Sequence, residues 1–139
     1  MEVSNRTRRT VNRRLISAVI EKFLTVHRLP RAQVSITVVG DYLMRRLNRQ
    51  WRGRDRVTDV LSWREQDGPS VQPDFLGEII IDWPQIVRQA RRQGASVKDE
   101  FIFILVHGLL HLIGYDDKEE SQARQMERLG RRFIAKYFS

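Results

Sequence analysis

Apolar positions recur along this chain at two periods, and the switches between them mark its elements. From Thr10 to Arg28, Leu15, Val19, Ile20, Phe23 and Leu24 share one face at helical spacing, and Leu29-Pro30 supplies a stop. Gln33 to Gly40 alternates apolar and polar residues, the period of a half-buried strand, and Met1 to Arg6 can add a short edge strand. Asp41 is placed to cap a helix running to about Gln50, and Arg52 to Asp55 forms a polar turn. Thr58 to Arg64 and Leu76 to Asp82 predict two further strands, separated by a Gly- and Pro-containing loop from Gln66 to Asp74. Trp83-Pro84 opens a helix to about Gln93, since proline is tolerated in a first turn. Ser96 caps the next helix, which runs through Phe101, Ile104, Leu105 and Leu112 to a stop at Gly114. A charged amphipathic helix from Lys118 to Phe138 follows. The expected fold class is α+β: a small mixed sheet packed with several helices.

At 139 residues the chain is expected to form a single domain, residues 1–139, with 41% hydrophobic residues to build its core. The longest apolar run, Phe101 to Gly114, is too short for a bilayer, and the first residues lack the apolar stretch of a signal peptide. A soluble, cytoplasmic protein is expected. Cysteine is absent, so any metal site must use His, Asp or Glu. The formal charge is +8, and all but four of the 25 basic residues are arginines, whose planar fork suits bidentate phosphate contacts. That balance favours a polyanionic partner such as nucleic acid.

The segment from His107 to Asp117, HGLLHLIGYDD, holds two of the three histidines. Residues four apart lie one turn above each other, so both imidazoles can reach one ion. Gly114 suits a helix end, after which the chain can turn back and bring Asp116 or Asp117 beside them. An Asp117-Lys118-Glu119-Glu120 capping box is the competing use for Asp117. The zincin motif of metalloproteases would place a glutamate after the first histidine as general base, and here that position is Gly108.

This segment resembles H-G-x-L-H-L-x-G-Y-D-H, the signature of the YbeY family of metal-dependent endoribonucleases. Upstream, Leu47-Asn48-Arg49-Gln50-Trp51-Arg52 is similar to the family's L-N-x-x-[YFW]-R. Thr58-Asp59-Val60-Leu61-Ser62-Trp63 is similar to T-[DN]-V-L-S-[FW], and Leu76-Gly77-Glu78-Ile79-Ile80-Ile81 to L-G-[DE]-I-x-I. The resemblance implies an α+β fold with a zinc-binding helix beside a short mixed sheet. It further implies a single-strand-specific RNase acting on pre-rRNA of the small ribosomal subunit, including the 3′ end of its rRNA, and in ribosome quality control. By the same resemblance one Zn2+ falls to His107, His111 and position 117, and the functionally important arginine is Arg52. The family usually carries His where this chain has Asp117. Aspartate is a legitimate zinc ligand, and its oxygen relaxes the preference for zinc over other divalent metals.

The expected chemistry is phosphodiester hydrolysis by metal-activated water, with Arg52 holding the scissile phosphate. Asp59 or Glu78 are candidates to approach as base, and Glu78 is a second candidate substrate-binding residue. Trp51 and Trp63 have the chemistry to stack on bases, although core packing is the expectation for both. The alternatives are an assembly factor whose metal is structural, and a metalloprotease, which Gly108 disfavours.

Overall fold

A computed structural model describes residues 1–65 and 74–139, so all but Asp74 of the expected loop from Gln66 to Asp74 lies outside the described residues. Four strands and five helices are found there: β1 (Glu2–Asn5), α1 (Arg13–Val26), β2 (Gln33–Val39), α2 (Asp41–Arg52), β3 (Val60–Arg64), β4 (Phe75–Asp82), α3 (Trp83–Gln93), α4 (Val97–Leu112) and α5 (Glu120–Tyr137). The sheet order is β1-β2-β4-β3, with β1, β2 and β4 parallel and β3 antiparallel to β4. This is the mixed sheet of an α+β fold.

Alternation along β4 sorts the core into two layers. Ile79 and Ile81 enter the larger core with Ile16, Ile20 and Phe23 of α1, Leu105 and Leu109 of α4, and Met126 and Phe133 of α5. Ile80 points to the opposite face, where α2 lays Met44, with Leu43 and Leu47 beside it, over Val39 and Leu61. Helix α4 is therefore buried along most of its length, from Phe101 to Leu112. Among the described residues no helix is long and apolar enough to cross a membrane.

Glycine brings α4 close to the sheet. Gly77 adopts φ +149, and a Cβ there would lie 2.0 Å from the Trp63 carbonyl oxygen and 2.9 Å from Leu112 Cδ2. Only a residue without a side chain lets β3, β4 and the end of α4 meet at this point.

Two caps differ from their expected places. Gly40, not Asp41, is the N-cap of α2, and Asp41 instead places its carboxylate 2.8 Å and 3.0 Å from the two Nη atoms of Arg88. Helix α5 starts at Glu120 with a capping box between Glu119 and Gln122. Asp117 is thus outside the cap, two residues upstream of it.

Candidate metal centre

Strand β3 is the edge of the described sheet, and the centre forms along it. Asp82 N donates to Asp59 O and Glu65 N to Leu76 O. In an antiparallel ladder the pairing alternates, so Val60, Ser62 and Arg64 turn their backbone groups away from β4. They face an open groove of about 800 Å³ whose far wall is the end of α4. Lining residues include Arg52, Arg54, Asp59, His107, His111 and Asp117.

The turn after α4 brings Asp117 to the histidines. Gly114, at φ +113, takes the chain through a region L side chains rarely enter, while Gly114 N donates to His111 O and Tyr115 N to Leu110 O. The chain then doubles back, and Asp116 Oδ1 accepts from Asp117 N at 2.9 Å. Asp117 Oδ2 ends 3.5 Å from His107 Nε2 and 3.4 Å from His111 Nε2. Two donors each about 2.0–2.1 Å from one ion, at a tetrahedral angle, stand roughly 3.4 Å apart. One donor atom from each of the three residues lies within 4.8 Å of the other two. The donor set fits a divalent cation.

Protonation suits that use. His111 Nδ1 lies 3.1 Å from the Tyr115 carbonyl oxygen, so the proton on Nδ1 is donated there and Nε2 is the ring nitrogen turned toward Asp117. His107 is held below the usual imidazole range, first by burial and then by the neighbouring His111 ring. A neutral imidazole is the form that coordinates a metal. Gly108 points away from this cluster: a Cβ there would come 3.0 Å from Ile79 Cγ2. A base at position 108 would therefore enter the core and not the groove.

The other sequence-derived candidates separate. Arg52 lines the groove, with Nη2 donating to Ser62 O at 2.8 Å and Cζ 5.5 Å from the Trp63 ring centre. Asp59 lines it too. Glu78 does not: it sits on β4 opposite Trp63, on the α2 side of the sheet, and is absent from the groove lining. Trp63 packs against the smaller core as expected, whereas Trp51 is 60% exposed, contrary to the core position expected for it. Sequence reasoning did not single out Arg54, Arg56, Arg64 and Lys118, which also line the groove. Arg54 lies in the polar turn after α2 and Arg56 just beyond it, and only the fold shows that this turn faces the end of α4.

Comparison with known proteins agrees with the sequence motifs. The family model described as "Endoribonuclease YbeY" matches residues 2–138. A protein of that name from Geobacter sulfurreducens is 35% identical over 138 residues, covering 96% of this chain and 92% of its own. Another, from Persephonella marina, is 35% identical over 120 residues, 85% of this chain and 78% of that one. A Thermotoga maritima protein solved in solution superposes with a TM-score of 0.63 at 24% identity, covering 98% of this chain and 90% of that chain, a likeness of fold.

Proposed function

The chain belongs to the YbeY endoribonuclease family, and from that premise we propose that it is a metal-dependent hydrolase of single-stranded RNA. Its substrate is pre-rRNA of the small ribosomal subunit, in the cytoplasm, and its work includes 3′-end maturation and ribosome quality control. His107, His111 and Asp117 hold one divalent cation, zinc by preference. The observation that carries this reading is the convergence of three donor atoms, with Asp117 at tetrahedral ligand spacing from both histidines, in a groove lined with arginines.

When bound, the cation supplies a Lewis-acid centre and makes the water it holds more acidic. Three candidate protein donors converge here, the number that catalytic zinc sites use and one fewer than closed structural sites do. The chain's own groups do the rest. Tyr115 fixes the His111 ring through its carbonyl, and burial disfavours protonation of His107. Arg52 is oriented by the Ser62 carbonyl and the Trp63 face, leaving its other N–H groups for a phosphate oxygen, where they neutralise the charge that grows as the ester breaks. Asp59, which lines the same groove, is the carboxylate that would take up a proton there.

His111→Ala tests the reading. Bound metal and cleavage of a single-stranded RNA should both fall to background, with casein untouched by either form. Full metal content and unchanged cleavage would refute the assignment.

A further inference from the structure

Trp51 has no role in the core: it is exposed, one residue before Arg52 of the groove lining. It follows Met44 by two helical turns and Leu47 by one, so it lies on the side of α2 that faces the sheet. Met44 is fully buried and Leu47 packs beside it, yet Trp51 is 60% exposed because the helix has run past the apolar surface that covers them. Tryptophans 63 and 83, by contrast, are half-buried against the two cores.

The surroundings are basic. From Asp41 to Arg56 there are six arginines against two aspartates. Both aspartates are already paired, Asp41 with Arg88 and Asp55 with Arg45. Arg52, the next residue after Trp51, and Arg54 both line the groove, as does Asn48 one turn earlier. An aromatic ring beside a positively charged track is the arrangement that holds single-stranded nucleic acid, with bases on the ring and phosphates on the arginines.

We propose that Trp51 is a stacking platform for one unpaired base of the RNA, at the lip of the groove, with Arg52 and Arg54 meeting the flanking phosphates. This rests on the nuclease reading above and adds a means of selecting single strands. A base inside a duplex has both faces covered by its neighbours and offers none to the indole. A peptide would gain little here, since the lip presents positive charge where a chain of mixed side chains has no regular counter-charge.

The test uses binding, not cleavage. The full-length protein in excess chelator is titrated against a labelled single-stranded adenine dodecanucleotide and against its duplex with the complementary strand. Trp51→Ala and Trp51→Leu should each weaken single-strand binding roughly tenfold, Trp51→Phe should restore it to within about twofold, and duplex binding should not change among the variants. Circular dichroism establishes that each variant is folded. Wild-type protein that binds no RNA would overturn the nuclease reading itself. Wild-type binding matched by Trp51→Ala, or rescued by leucine as well as by phenylalanine, would overturn the stacking role and leave the nuclease reading standing.

Discussion

Asp82 ends β4, has no exposed surface, and neither of its carboxylate oxygens has a hydrogen-bond partner. Half-exposed Arg88 and Asp41 close it off, with Arg88 Nη2 3.9 Å away and committed to Asp41. Burial, reinforced by the Asp41 carboxylate, pushes the Asp82 carboxyl from 3.8 up to about 8, while Arg88 holds Asp41 down at about 2. The folded protein therefore keeps the Asp82 proton up to about pH 8, and the unfolded chain releases it near 3.8. Between those values the native state binds the extra proton, so stability falls as pH rises, by about 1.4 kcal/mol per pH unit. Asp82→Asn supplies a neutral side chain of the same shape and removes that slope. Relative to wild type, the variant should gain about 3.6 kcal/mol between pH 5 and pH 8. This is an upper bound, because Arg88 is near enough to swing from Asp41 to an ionised Asp82. Urea unfolding of metal-free protein at pH 5, 6, 7 and 8 measures the difference. The Asp41 carboxyl titrates below that window and does not disturb it. A difference that stays constant within about 0.5 kcal/mol would refute the buried-proton argument.

Two further outcomes concern the metal helix and its turn. Asp117→His supplies a third imidazole and should slow zinc loss to a competing chelator, followed with a colorimetric zinc indicator; unchanged release would show that position 117 does not ligate. Gly108→Ala should destabilise by about 1 kcal/mol in urea unfolding, because the overpacking of Ile79, typically 1–3 kcal/mol, outweighs the gain of up to about 1 kcal/mol from replacing a helical glycine. An equal or more stable variant would show that Ile79 yields without cost.

What could be read from the sequence was local. Ser96 caps α4, and its side chain accepts from Asp99 N as a cap should. Trp83-Pro84 opens α3, and the four-residue spacing of His107 and His111 places both rings on one side of α4. These depend on a few neighbouring residues, so the one-dimensional pattern carries them. Asp41 misled because its partner, Arg88, lies 47 positions on, and a long-range ion pair outcompetes a local cap. The last helix misled for a different reason. Asp117-Lys118-Glu119-Glu120 has the pattern of a capping box, but Gln122 moves the start on by completing a reciprocal cap with Glu119. The groove itself was hidden, because its walls, the Arg52–Arg64 stretch and the end of α4, meet only through the β3–β4 pairing and the close approach at Gly77. Trp51 was hidden too, since nothing in its helical period says where the sheet beneath it stops.

The outward-turned backbone of Val60, Ser62 and Arg64 has a further consequence for the protein in concentrated solution. A bare strand margin is a template on which a second polypeptide can zip itself, and proteins guard such margins with charge. Here the guanidinium of Arg52 already occupies the Ser62 carbonyl, and Arg64 stands exposed beside it. The cations that make the cleft attractive to a polyanion therefore also keep one molecule from being annexed by the next. A variant stripped of them for the sake of studying catalysis would have to be watched for clumping before its lost activity was ascribed to chemistry.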